Sequence, residues 1–422
     1  MRTETDNAFD RIKSQCLQHP GSVNMLNRAG IILERLGISP ANRSEESLIA
    51  DACRKTGLSD WGDESFRTAL RVLLESYRKD ADLNFIGWLK THQRLLLHLT
   101  NRLYIQDALK RHPEILQEPI CRPLFITGLP RTGTTLLHRL LSMAPYNRAP
   151  LSWETLSPAP PPDPRTRDTD PRIAEAEKIL RNLYRTAPDF ASIHPMQAKE
   201  PEECVALIMN TFAAPVFNIF ANLTRYSKWL NEQDPVPIYR YYRQQIQLLQ
   251  WQFSDCRWIL KAPVHIYFMK GLLTMFPDAC IVQTHRDPLR VIPSGCSLRA
   301  TIRRTYSDHV DPSLIGQEFL HYLETVTERN IQIRKSADSA QFFDIHYKDI
   351  VQDPAGAVRR ICGHFGYEFD SRFEEQIREY LDGNPKNKHG VHRYSLEQFG
   401  LTPEMVNSRF ASYCERFGIT PE

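Results

Sequence analysis

FITGLPRTGTTLLHRLLS, residues 125–142, decides how the rest of the chain is read. A short apolar run, FIT, stops at Gly128, Gly133 follows, and TTLLHRLLS then shows the apolar periodicity of an amphipathic helix. Strand, glycine-bounded loop and helix start put successive backbone N–H groups at the positive end of a helix dipole, where an anion is favoured. The spacing matches the phosphate-binding pattern G-x-x-x-x-G-K-[ST] with Thr135 as its hydroxyl residue. Position 134, however, is threonine rather than lysine, and the basic residue, Arg131, sits inside the loop. In nucleoside triphosphate enzymes the missing lysine reaches the β and γ phosphates while the hydroxyl and a separate acid hold magnesium. This loop therefore calls for a different phosphate.

Outward from the loop, PLFIT (123–127), RWILK (257–261), ACIVQT (279–284) and QFFDIHY (341–347) alternate with helical stretches such as IYRYYRQQIQLLQWQF (238–253). Strands separated by helices predict an α/β fold, a P-loop-type parallel sheet flanked by helices. Ligands of such sheets bind at the carboxyl ends of the strands. All four runs end there in polar or basic residues: Thr127 with Gly128, Lys261, His285 with Arg286, and His346 with Tyr347.

Residues 1–118 read as a helical N-terminal extension, with Ser44 opening one helix and residues 66–112 forming a long helix or a bent pair. Residues 119–400 form the α/β unit and 401–422 a C-terminal tail. Between strands, SPAPPPDPRTRDTDPR (157–172) has too few apolar residues to pack and reads as a stiff surface loop.

Composition narrows the function classes. A chain of 422 residues, 41% hydrophobic and 24% charged, buries a large core and reads as soluble and globular. A net charge of +3 is too close to balance to imply a nucleic-acid partner. The nine cysteines are scattered without a C-x-x-C pair, which argues against a disulfide framework and a zinc site and for a reduced, cytoplasmic location. The polar start MRTETDNAFDRIKSQC has no apolar leader, and no apolar run is long enough to span a bilayer.

Asp344 in FFDIHY is the best acid for a magnesium-dependent phosphotransferase built on this loop. Arg131, Lys261 and Arg286 instead describe a site that neutralises an anion with side chains and no metal. That pattern suits a nucleotide bearing separate anionic groups.

LPRTGTT, QTHRDPLRVIPSGCSL and HYKDIVQDP resemble, in order, the motifs of cytosolic and bacterial sulfotransferases that use 3′-phosphoadenosine 5′-phosphosulfate (PAPS). The likeness is closest to a bacterial family with a helical N-terminal extension, and runs from about residue 45 to 400. It implies that Arg131, Thr132, Gly133, Thr134 and Thr135 face the 5′-phosphosulfate, and that Arg286 and Ser294 clamp the 3′-phosphate. It places Tyr347 near adenine, Lys388, His389 and Gly390 in a loop closing over the 3′-phosphate, with Arg393 a further cation, and Lys261 at the bridging oxygen. Adenosine 3′,5′-bisphosphate (PAP) would be the product, with no metal required.

The acceptor must lose a proton as it attacks. Animal relatives use a histidine two residues after the lysine; here Ala262 and Pro263 intervene and histidine arrives at His265. Others use a glutamate after the loop helix, which corresponds to Glu154 in APLSWETLSP, the favoured base. Trp153, and His194 with Glu200, Glu202 and Glu203, are further groups expected near the acceptor, although an acidic run also reads as a solvated helix start. The Pro-rich loop and the aromatic stretch 217–242 would shape a pocket for a small hydroxylated or aminated acceptor with a ring-containing or lipid-like body. A homodimer contact or a membrane-surface role for the N-terminal helices, and a catalytically inactive nucleotide-binding protein, are the remaining readings.

Overall fold

The computed structural model describes residues 25, 27, 28, 30, 32, 44–186, 195–253, 256–384 and 395–422. Its centre is a parallel sheet of five strands, β1 (Leu124–Gly128), β2 (Asn147–Arg148), β3 (Arg257–Lys261), β4 (Cys280–His285) and β5 (Phe342–His346). They lie in the order β2-β3-β1-β4-β5. The four apolar runs are strands, and β1, buried along its whole length, is the middle one. β2, only two residues long, has no apolar run to announce it. In register, Ile126 faces Lys261, Gly128 faces Thr284 and His285 faces His346, so the polar strand ends lie along one edge.

Side-chain alternation along β1 divides the core into two layers. Phe125 points into a cluster with Tyr239, Leu260, Ile281 and the N-terminal Leu99 and Leu103. Leu124 and Ile126 point the other way, toward Leu137, Val282 and Ile361. The N-terminal helices Glu45–Thr56, Phe66–Lys79 and Phe85–Arg111 thus share one apolar layer with the sheet. Leu95, Leu99 and Leu103, four apart on one helical face, are each buried, worth roughly 1.5–3 kcal/mol apiece.

Residues 66–112 form two helices, because Asp82 has φ +45° and Asn84 caps a new helix by accepting from the Gly87 N–H. Ser44 caps its helix as expected, accepting from the Ser47 N–H. The Pro-rich segment departs from expectation. Pro158, Ala159 and Pro162 are buried, and Arg172 pins the turn by donating to the carbonyls of Ser157 and Pro160. The helix Pro403–Phe417 is likewise packed, through Val406, Phe410 and Tyr413, against the helices Pro288–Arg304 and Pro312–Arg334.

Candidate active site at the carboxyl ends of the strands

Between Gly128 and the helix Thr134–Leu141, the loop turns through two left-handed residues, Arg131 at φ +66° and Gly133 at φ +88°. A Cβ on Gly133 would stand 3.4 Å from Tyr347 and Ile350, so this bare backbone faces the start of the helix Tyr347–Gln352 after β5. Thr132 is buried, its hydroxyl donating to the Leu129 carbonyl and lying 2.5 Å from that of Thr284. Thr132 therefore shapes the loop from below, and only its backbone is left to meet a phosphate. Thr134 is buried, while Thr135 is exposed at the helix start.

Lys261 ends β3 with only 1% of its surface exposed. Its Nζ donates to Thr135 Oγ1 at 3.3 Å and to Glu203 Oε1 at 2.5 Å. The strand thus delivers a buried ammonium to the first turn of the loop helix, where the resemblance places the bridging oxygen. Glu203 is the residue whose importance sequence reasoning understated. Its position follows from a tertiary bond, the Cys204 N–H to the Lys261 carbonyl at 2.9 Å, and from Glu202 N–H to the Pro150 carbonyl. Local spacing carries no sign of either.

On the other side of the loop, Arg286 follows β4. It donates to the Arg131 carbonyl at 3.0 Å, and its guanidinium lies 3.9 Å from the centre of the Tyr347 ring. Its remaining partner is anionic, Glu422 Oε2 at 3.1 Å. Ser294, half-buried in the helix that opens at Pro288, makes no side-chain hydrogen bond among the described residues. The loop, Thr135 and Lys261 therefore meet on one side of Gly133, and Arg286 and Tyr347 on the other.

Both expected bases are fully buried. Glu154 has no exposed surface; its Oε1 accepts from Arg148 at 2.9 Å and Arg167 at 3.2 Å, and its Oε2 from the Leu151 N–H at 2.9 Å. A carboxylate so engaged is a buried structural pair. His265 also has no exposed surface. It sits in the short turn Pro263–Ile266, its Nδ1 2.6 Å from the Tyr239 hydroxyl and its ring edge-on to Phe125 at 5.0 Å. Burial holds it neutral by lowering its pKa to about 3. Trp153 is enclosed with Ile173, Ala176 and Ala198, under the Arg172 guanidinium. His194, Lys388, His389, Gly390 and Arg393 lie outside the described residues.

Asp344, which the magnesium-dependent alternative would need, is committed too. Arg334 grips both its oxygens at 2.6 and 2.8 Å, and His285 Nε2 lies 2.8 Å away. Burial alone would raise its pKa, but these bonds outweigh it and hold the carboxyl well below its ordinary range. Among the described residues, no three His, Cys, Asp or Glu side chains are grouped to hold a metal ion.

Comparison with known proteins places this arrangement. The model of the sulfotransferase family matches residues 123–371. The chain is 27% identical, over 71% of its length and 76% of the relative's, to the omega-hydroxy-beta-dihydromenaquinone-9 sulfotransferase Stf3 of Mycobacterium tuberculosis. The crystal structure of sulfotransferase STF1 from Mycobacterium tuberculosis superposes with a TM-score of 0.76 at 33% identity, covering 89% of this chain and 100% of that one. Sulfotransferase STF9 from Mycobacterium avium gives 0.84 at 27% identity, covering 91% and 99%.

Proposed function

The chain belongs to the sulfotransferase family, and from that premise we propose that it moves a sulfuryl group from PAPS to a hydroxyl, or an amine, of a small molecule, releasing PAP. The observation that carries this reading is the division of cations around one glycine-rich loop. Lys261 and Thr135 stand at one end, and Arg286, already on an anion, at the other. A nucleoside triphosphate concentrates its charge in one chain, whereas PAPS carries separate 5′ and 3′ groups that match two cationic ends.

In this reading the loop amides and Arg131 hold the 5′-phosphosulfate, Arg286 and Ser294 take the 3′-phosphate, and Tyr347 lies beside the adenine. By the resemblance, Lys388 and Arg393 would add charge over the 3′-phosphate, with His389 and Gly390 in the same loop. The acceptor oxygen attacks sulfur in line, and the bond to the bridging oxygen breaks with its electron pair left on the 5′-phosphate. Lys261 donates to that oxygen, and Arg131 with the loop amides meets the growing charge, so the transfer proceeds without a metal.

For the acceptor, the relative named for a hydroxylated menaquinone supports a lipid-like or ring-containing alcohol. A cavity of about 210 Å³ is lined by Leu230, Tyr267, Phe319 and Tyr322 together with Asn218, Arg299, Arg303 and Glu318. It draws on the aromatic stretch 217–242. None of the described helices is long and apolar enough to cross a membrane. Cys53, Cys121, Cys204, Cys280, Cys296, Cys362 and Cys414 form no disulfide, which supports a cytoplasmic enzyme. The exposed Tyr104 on the N-terminal helical layer offers a contact for a homodimer.

Calorimetric titration with PAP in the presence of a chelator tests the donor assignment. Wild type should bind without metal, and Arg286→Ala should bind at least tenfold more weakly. Absence of PAP binding together with magnesium-dependent binding of ATP would return the phosphotransferase reading.

A further inference from the structure

We infer that Glu203 takes the acceptor's proton, an assignment that rests on the donor reading above. Glu154 and His265 have no exposed surface; both Glu154 oxygens are engaged by Arg148, Arg167 and the Leu151 N–H, and His265 Nδ1 by the Tyr239 hydroxyl. The Glu203 side chain is 20% exposed, and its carboxylate is 2.5 Å from the ammonium expected at the bridging oxygen. Lys261 bonds Thr135 at the same time, so the carboxylate, the ammonium and the loop hydroxyl converge on one place. A base must lie within hydrogen-bonding reach of the proton it abstracts, which here means beside the sulfur and across from the leaving oxygen.

The backbone fixes that position. Glu202 is tied to Pro150 and Cys204 to Lys261 by main-chain bonds at 2.9 Å. Glu203 stands between two anchors, and its own N–H donates to Glu202 Oε1. The backbone that carries this carboxylate is thus held to the end of β3. Pre-positioning of this kind is what a proton transfer coupled to an in-line displacement requires.

The step balances as follows. When donor binds, Lys261 turns its hydrogen bond from Glu203 to the bridging oxygen. The acceptor O–H then donates to the oxygen that Lys261 has vacated. As the acceptor oxygen forms its bond to sulfur, its proton passes to Glu203. The sulfur–bridging-oxygen bond breaks, and its electron pair stays on the phosphate of PAP, under the Lys261 ammonium. Water removes the proton from Glu203 after PAP and the sulfated product leave. One ion pair therefore supplies both the base and the cation of the transfer.

The test compares wild type, Glu203→Gln and Glu203→Asp by PAP release from PAPS, with water, 2-naphthol and 4-nitrophenol as acceptors, beside calorimetric binding of PAP. Removal of a general base costs about 10²–10⁴ in rate when the acceptor must be deprotonated on the enzyme. Glu203→Gln should slow reaction with water and 2-naphthol by at least about a hundredfold, in that range. 4-Nitrophenol, which is about half ionised near neutrality and mostly ionised at pH 8, should be slowed less than tenfold at pH 8. Binding of PAP should stay within threefold, and Glu203→Asp should recover part of the rate. Equal slowing with both phenols, or a loss below threefold with water and 2-naphthol, overturns the assignment while PAP binding leaves the donor reading intact. Failure of wild type to bind PAP would instead overturn the donor reading.

Discussion

Glu154 Oε1 lies 2.9 Å from Arg148 and 3.2 Å from Arg167 with no exposed surface, so its charge is needed where it is. Arg148, 4% exposed at its side chain, is stacked at 3.5 Å on Phe253 and, among the described residues, forms its ion pair with Glu154 alone. Burial lowers its pKa to about 10, but the guanidinium remains charged at neutral pH. Removal of one partner from a buried pair costs about 3–5 kcal/mol, because the other is left uncompensated. Glu154→Gln should therefore lower the free energy of unfolding by that order, read from urea denaturation, while PAP binding by the folded fraction is unchanged. A variant as stable as wild type but without turnover would restore Glu154 as the base. The same wild-type chain thus contains a glutamate that binds two cations inside the fold and another, Glu203, that binds one cation at its edge.

At the scale of elements, β1 and β4 approach so closely at the loop that residue 128 has no room for a side chain. Gly128 has φ +143°, and a Cβ there would stand 2.4 Å from the Thr284 carbonyl, which is backbone and cannot turn aside. Gly128→Ala combines backbone strain with overpacking, roughly 2–6 kcal/mol together. Gly363, inside the helix Pro354–Phe365 with open space around its Cβ position, is the opposite case. Gly363→Ala should stabilise by about 0.5–1 kcal/mol. Denaturation midpoints of the two variants should move in opposite directions, and a shared direction would refute the argument. These positions also mark what was legible in the sequence. The loop and four strands are written locally, in glycine spacing and apolar runs, and so are Lys261, Arg286 and Tyr347 as polar ends of strands. β2 was not, because two residues have no periodicity. Nor was the pairing of Glu203 with Lys261, since the residues are far apart in sequence and meet only when Cys204 bonds to β3. The inward turn of His265 and the two arginines on Glu154 are set by packing that no spacing expresses.

Across the described residues, burial pushes the pKa values of three histidines from different elements far down, and lowers that of His285 as well. His98 lies in the N-terminal helix Phe85–Arg111, His138 in the loop helix and His265 after β3. Burial lowers their pKa values to about 4, 3 and 3, and for His138 the nearby Lys261 adds to the effect. An unfolded chain takes up a proton at each of these near pH 6.5, whereas the folded protein takes it up only near pH 3–4. The unfolded state thus binds more protons between those values, and stability rises with pH across the window. Their contribution is complete above about pH 6.5 and is lost as the pH falls toward the folded values. Each histidine contributes up to about 1.4 kcal/mol per pH unit, so three of them give a steep decline. Between pH 6.5 and 5 most carboxylates stay ionised, and the histidines dominate the slope. Replacement of one titrating side chain should make the slope shallower even if it lowers stability at pH 7. His265→Gln should lose about 2 kcal/mol less than wild type between pH 6.5 and 5, measured by urea denaturation at each pH. Parallel curves for wild type and variant would mean that His265 does not resist protonation in the folded protein, against its place between Phe125 and Tyr239.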